Sequence, residues 1–279
     1  MISGHTQVCC LLADPVEHVR TPQMFNAYLE TRGADAVVVP LHVPRDELRR
    51  MVEALRGVRN LRAIIVTLPH KIAIVELCDA LHESAQRVGA VNLVRRDPGG
   101  RLVGANFDGV GFVAALEAGV GPVAGRSVFM AGAGGVARAI VFELARAGAS
   151  RIVLCNRSQQ KGEELLRRVR QAYPATAAAC VAAPPDDCDI AINATSLGLR
   201  PDDPLPFSVD ALPANAAVAE VVMQPLMTRL LRAAQARGLR IVTGDGMLTA
   251  QLPFWMDFVG FDGSRAADAA AHHDAAIDR

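Results

Sequence analysis

Aromatic residues are scarce in this chain: 4% of its 279 residues, with one Trp, two Tyr and nine Phe. Its core must therefore be largely aliphatic, drawn from a composition that is 51% apolar. Net charge is also lacking, since 29 Lys and Arg balance 29 Asp and Glu. Nothing in that balance favours nucleic acid or an anionic membrane surface. No uncharged apolar run approaches the ~18 residues that suggest a membrane span. The opening residues, Met1 to Thr6, lack the basic segment of a secretory leader. The cysteines Cys9, Cys10, Cys78, Cys155, Cys180 and Cys188 form no CxxC pair, so neither a metal site nor thioredoxin-type chemistry is expected. These absences lead to the expectation of a cytoplasmic protein that binds neither nucleic acid nor membrane, with cysteines acting as small apolar residues.

What is present alternates. At about 150 residues per domain, the length suggests two domains. Strands are expected at Gln7–Ala13, Ala36–Val43, Arg62–Thr67, Ala90–Arg96 and Arg101–Ala105, the last two as a hairpin across Pro98-Gly99-Gly100. Helices are expected at Thr21–Arg32, Arg45–Arg56 and Ala80–Val88. The second half repeats the pattern, with helices at Asp108–Ala118, up to Ala147, Gln159–Ala172 and Thr228–Arg237. Its strands are Ser127–Ala131, Arg151–Cys155, Cys188–Asn193 and Ala216–Val222. Such alternation implies an α/β fold with mostly parallel sheets covered on both faces. The segment Asp202–Pro213 reads as a surface loop, and Ser264–Arg279 as a frayed helix or disorder.

The most specific local pattern is Gly132-Ala133-Gly134-Gly135-Val136-Ala137, a GxGxxA turn after a strand and before a helix. Gly132 suits the tight turn, Gly134 allows a pyrophosphate to approach the backbone, and Ala137 lets the helix pack closely on the sheet. The free N–H groups of the helix start then bind phosphate. The same turn without a ligand is the alternative. The next strand ends in Asn156-Arg157-Ser158-Gln159-Gln160-Lys161, without the carboxylate that reads a ribose 2′-hydroxyl. Arg157 and Lys161 are placed to clamp a 2′-phosphate instead, which favours NADP over NAD.

Candidate reactive residues are spread along the chain. Lys71 follows a strand in Thr67-Leu68-Pro69-His70-Lys71. Asn92 closes Gly89-Ala90-Val91-Asn92, and Asp108 stands after Asn106-Phe107. Gln251 ends Gly244-Asp245-Gly246-Met247-Leu248-Thr249-Ala250-Gln251. Taken singly, each is an ordinary polar residue. Taken with Asp14-Pro15-Val16-Glu17-His18, Thr21-Pro22, the AGAGGVA turn, NRS and INATSLG, their order and spacing resemble the shikimate dehydrogenase family from about Val8 to about Gly260.

That resemblance implies an N-terminal α/β substrate-binding domain, residues 1–107 with about 245–279 returning to it. It implies a Rossmann-like NADP-binding domain, 108–244, with a cleft between the two. It implies reversible hydride transfer between NADPH and the 3-keto group of 3-dehydroshikimate or a related hydroxylated ring acid. Lys71 and Asp108 are then the catalytic pair. Thr21, Thr67, Asn92 and Gln251 are then the substrate-binding residues. Gly132 to Val136, Asn156, Arg157, Lys161, Thr195, Val221 and Gly244 are then the cofactor-binding residues. Ser196 accompanies Thr195 on the nicotinamide side. The partner implied is a small cyclohexene or cyclohexane carboxylate, and the protein is expected as a monomer or homodimer. A quinate or other ring-acid dehydrogenase using NADP or NAD, and a non-catalytic NADP-binding relative, are the alternatives.

The departures from the family pattern concern substrate recognition. Val19 removes one of two hydroxyls expected to hold the substrate carboxylate, while Thr21 keeps the other. Met223 stands where a tyrosine is expected. Ile65 replaces an asparagine, and Leu93 and Phe107 replace threonines. A hydrogen bond to a charged group contributes about 1.5–3 kcal/mol, so losing two predicts a substrate pocket of altered preference.

Overall fold

The computed structural model describes residues 2–17 and 19–261. Two units carry these residues, 1–107 with 252 onward, and 108–251. The expectation for the tail after Ser264 lies outside the described residues.

In the first unit, short β-branched and aliphatic runs form a six-stranded sheet. In chain order it contains β1 (Gln7–Ala13), β2 (Ala36–His42), β3 (Leu61–Val66), β4 (Ala80–Leu81), β5 (Leu93–Arg96) and β6 (Leu102–Ala105), arranged β2-β1-β3-β5-β6-β4. The pairs β2–β1 and β1–β3 are parallel, while β3–β5 and β5–β6 are antiparallel. Helices α1 (Thr21–Thr31), α2 (Leu48–Arg56) and α3 (Glu83–Val88) connect them. Pro22 sits at the start of α1, where its missing N–H costs nothing. The core on one face is Leu12, Val52, Ile64, Ile74, Val91 and their neighbours.

The second unit holds a fully parallel sheet of order β12-β11-β10-β7-β8-β9. Its strands are β7 (Ser127–Ala131), β8 (Arg151–Cys155), β9 (Ala177–Cys180), β10 (Ile190–Asn193), β11 (Ala217–Glu220) and β12 (Arg240–Val242). The helices are α4 (Asp108–Val120), α5 (Gly135–Arg146), α6 (Gln159–Ala172) and α7 (Arg229–Ala236). A last helix, α8 (Asp245–Val259), starts in this unit and ends in the first. The strand order reverses between β7 and β10, the switch point at which doubly wound sheets bind ligands. One core face gathers Leu116, Val128, Met130, Ile140, Leu154 and Ile192, and the other Phe129, Val153, Val218 and Leu231.

Most expected elements are present; the helix expected at Ala80–Val88 and the strand expected at Ala90–Arg96 begin late, and β9 and β12 have no counterpart among the expected strands. The helix expected at Ala80–Val88 begins only at Glu83. Ala80 and Leu81 instead pair with Val103 and Gly104, and the His82 side chain caps the helix by accepting from the Ser84 N–H. Edge pairing thus overrides helical propensity over one turn. The strand Ala177–Cys180 has weak β-formers, and β12 has three residues; both are held by a neighbouring strand rather than by their own pattern. The apolar cysteines behave as expected. Cys9, Cys10 and Cys188 are buried, and burial pushes Cys9 up to about 12 and Cys10 and Cys188 up to about 11. Among the described residues, no helix is long and apolar enough to cross a membrane, and no group of three or more metal-ligating side chains occurs.

Candidate functional site

The antiparallel entry of β5 gathers polar residues at one edge of the first sheet. Strand β3 ends at Val66, whose N–H bonds the Asn92 carbonyl at 2.9 Å, so Thr67 and Asn92 leave the sheet side by side. The Thr67 N–H bonds Leu12 O at 3.1 Å, and the Asn92 N–H bonds Ala105 O at 3.0 Å. The turn after Thr67 closes through His70 N–H to Thr67 O at 2.9 Å, and Val91 N–H donates to Lys71 O at 2.8 Å. Buried His70 anchors the turn through Nε2 to Val43 O at 2.8 Å. The backbone of Lys71 is thereby tied to the segment that delivers Asn92. Lys71 and Asn92 are both buried. Asn92 Oδ1 accepts from the Phe107 N–H at 3.0 Å, so the chain leaving β6 is bound to the same edge. Thr21 opens α1 and is half-buried.

Within the second unit, buried Asp108 opens α4, where the helix N-terminus favours a carboxylate. Buried Gln251 donates Nε2 to Met247 O at 3.2 Å within its own helix, packed against Gly111 of α4. A Cβ at Gly111 would lie 2.3 Å from Gln251 Cγ, so glycine there is what allows the two helices to approach.

The parallel sheet brings the remaining candidates to its carboxyl edge. Gly132 takes φ +114, and a Cβ on it would stand 2.7 Å from Ala194 O. Gly134 has φ −76 and ψ −173, an extended conformation open to any residue, and a Cβ on Gly134 or Gly135 would meet nothing within 4 Å. Gly134 is the N-cap of helix α5 and supplies no side-chain cap to the first N–H groups of the helix. After β8, Asn156 Nδ2 bonds Ser158 O at 2.8 Å, while Arg157 and Lys161 are exposed. Thr195, Val221 and Gly244 follow β10, β11 and β12. Gly244 is as tightly placed as Gly132, since a Cβ would lie 2.4 Å from Val222 O.

Residues 11–94 match the shikimate dehydrogenase substrate binding domain, and residues 115–198 match the shikimate/quinate 5-dehydrogenase family. A shikimate dehydrogenase (NADP(+)) of Rubrobacter xylanophilus is 41% identical over 258 residues, 90% of this chain and 89% of that protein. The chain belongs to the shikimate dehydrogenase family. Among solved structures, a shikimate dehydrogenase in complex with NADP+ superposes with a TM-score of 0.87 at 30% identity, covering 94% of this chain and 92% of that one. The ligand-free 5-ketofructose reductase of Gluconobacter sp. strain CHM43 superposes with a TM-score of 0.84 at 33% identity, covering 92% and 93%.

The structure groups the departures from the family pattern. Ile65 and Leu93 are register partners across β3 and β5, and both are buried. Phe107 packs against Phe254 and Phe258 of α8 at ring-centre distances of 6.4 and 5.5 Å, and against His82 at 6.4 Å. Met223 is half-buried against the core of the second unit. Sequence reasoning missed a buried polar group beside the cofactor-side candidates: Asn193, Glu220 and Thr228. Its available signal was a glutamate closing the apolar strand Ala217–Glu220.

Proposed function

We propose that this chain is an NADP-dependent dehydrogenase that interconverts a ring secondary alcohol and its ketone, shikimate and 3-dehydroshikimate being the pair. The observation that carries this reading is the edge of the first sheet. There the carbonyl of buried Lys71, four residues after Thr67, accepts from the Val91 N–H, one residue before buried Asn92. The 41% identity to a curated NADP(+) shikimate dehydrogenase over most of both chains supports it.

The turn fits a dinucleotide. The open space at Gly134 and Gly135 and the uncapped start of α5 suit a pyrophosphate. Exposed Arg157 and Lys161, with no carboxylate between them, suit a 2′-phosphate. Asn156, Thr195, Val221 and Gly244 flank the same sheet edge and complete the proposed cofactor-binding set with Gly132, Ala133 and Val136. NADP(H), when bound, supplies or accepts the hydride.

The remaining chemistry falls to the chain. In the reducing direction the Lys71 ammonium gives its proton to the ketone oxygen as that oxygen becomes an alcohol. In the oxidising direction the neutral amine takes the hydroxyl proton back. The Asp108 carboxylate accepts a hydrogen bond from a substrate hydroxyl and so orients the ring. Thr21, Thr67, Asn92 and Gln251 pair the other polar groups, and a site built this way rejects analogues lacking one of them. Pyridine nucleotide chemistry and free thiols fit the cytoplasm.

One specific observation favours a second reading. Val19 and Met223 remove two polar partners expected for a substrate carboxylate, and a solved neighbour is a reductase of 5-ketofructose. A neutral polyhydroxy ketone is then the substrate. Initial rates followed by nicotinamide absorbance separate the two, with shikimate and NADP+ or NAD+ in one arm and 5-ketofructose and NADPH in the other. Fast turnover of shikimate at low concentration with NADP+ supports the first reading. Turnover of the neutral ketone alone supports the second, and none in either arm overturns both.

A further inference from the structure

Glu220 closes β11 in the interior of the second unit, with none of its surface exposed. Its Oε2 accepts from Thr228 Oγ1 at 3.0 Å and from Asn193 Nδ2 at 3.4 Å. Its Oε1 is buried with no hydrogen-bond partner among the described residues. Burial pushes the carboxyl up to about 7, with the Thr228 and Asn193 donors opposing the rise. A carboxylate so poorly paired is a poor stabiliser, and an apolar side chain of similar volume would cost less. Its presence is accounted for by what its partners hold.

Asn193 is the link. Its Nδ2 also donates to Leu197 O at 2.9 Å, and its Oδ1 accepts from the Thr195 N–H at 3.1 Å and from Thr195 Oγ1 at 2.7 Å. Thr195 Oγ1 in turn accepts from the Leu197 N–H at 3.0 Å. A backbone donor on one side and a backbone carbonyl on the other fix which Asn193 atom is oxygen. With Glu220 accepting at Nδ2, the amide cannot turn over without facing two oxygens with a third. On its other side, Thr228 caps α7 through Oγ1 and the Leu231 N–H at 3.2 Å. One carboxylate therefore joins the exits of β10 and β11 to the start of α7.

We propose that Glu220 is a positioning residue for the cofactor: through Asn193 it sets the conformation of the 194–198 turn that presents Thr195. This rests on the NADP-binding reading of the second unit. It makes Glu220 a determinant of cofactor affinity without contact to the cofactor. The conventional account of a buried acid, that it stabilises the fold, makes the opposite prediction for an apolar replacement.

The test compares Glu220→Leu and Glu220→Gln with the wild-type protein by calorimetric titration of NADP+ and by thermal melting. Leucine fills the space and removes the acceptor. Its expected result is a dissociation constant raised about tenfold, the loss of one hydrogen bond's worth of ordering, with no fall in melting temperature. Glutamine keeps an oxygen for Asn193 and Thr228 and is expected to bring affinity back to within about twofold of wild type. If Glu220→Leu does not fold, Asn193→Ala carries the test, and the same tenfold loss is expected. Unchanged NADP+ affinity in Glu220→Leu, or in Asn193→Ala where that substitute is needed, overturns the inference while leaving the cofactor reading standing. Absence of NADP+ binding by the wild-type protein overturns the cofactor reading itself.

Discussion

Adding one methyl group to either of two glycines in the same turn separates a ligand-binding turn from a merely tight one. At Gly134 the backbone is extended, with φ −76 and ψ −173, and a Cβ meets nothing within 4 Å. Gly134→Ala therefore carries no clash. The reduced freedom of the unfolded chain favours alanine by ~0.4–1 kcal/mol, and the weaker capping by alanine offsets part of it, so stability should change by less than about 1 kcal/mol. The space the methyl group takes is the space proposed for a pyrophosphate. Losing one or two charge-assisted bonds to that group, at ~1.5–3 kcal/mol each, predicts an NADP+ dissociation constant raised by about ten- to a hundredfold or more. Gly132→Ala should behave differently. Its φ of +114 is strained for any L side chain, and its Cβ would sit 2.7 Å from the Ala194 carbonyl oxygen. Backbone strain of that kind costs about 1–3 kcal/mol before the clash is relieved, a fall in melting temperature of roughly 2–5 °C for a chain of this size. Melting curves and calorimetric titration on both variants read the two effects separately. Wild-type affinity for NADP+ in Gly134→Ala would refute the assignment and leave the turn a packing device.

Removal of the proposed acid should act on chemistry alone: Lys71→Ala is expected to lower turnover by about 10²–10⁴-fold with NADP+ affinity unchanged, and a rate within a few fold of wild type would remove Lys71 from the mechanism. The paired change Arg157→Ala with Lys161→Ala should raise the NADP+ dissociation constant ~10–100-fold and leave that for NAD+ as it was; equal losses for both nucleotides would show that these cations do not read the 2′-phosphate. Glu220 also predicts a pH dependence of stability. Its carboxyl is raised from 4.5 to about 7 in the folded protein, so the stability it supports is complete below 4.5 and is lost as pH rises through about 7. The loss amounts to about 3 kcal/mol at most. Denaturant titrations of wild type and Glu220→Gln from pH 5 to 8 should converge or cross accordingly, and a constant difference between them would contradict the raised carboxyl.

Much of this was legible in the sequence because the informative signals were local. The GxGxxA turn, the Pro98-Gly99-Gly100 hairpin and the alternating elements each follow from backbone preferences over a few residues. Strands β4, β9 and β12 were not legible, since their few residues are held by neighbouring strands rather than by a pattern of their own. The departures at Ile65 and Leu93 show the same limit. Read along the chain they are two separate losses of polarity. In the sheet they face each other in register, an adjacency the chain order does not show. Glu220 is the opposite case: a single acid at the end of an apolar strand, whose partners Asn193 and Thr228 lie on a different strand exit and at a helix start. Its meaning exists only once the parallel sheet has aligned β10 with β11. In a parallel sheet, every strand exit is brought to the same edge whatever its distance in sequence. That common edge lets one buried carboxylate order a turn that begins 26 residues earlier in the chain, between Ala194 and Gly198.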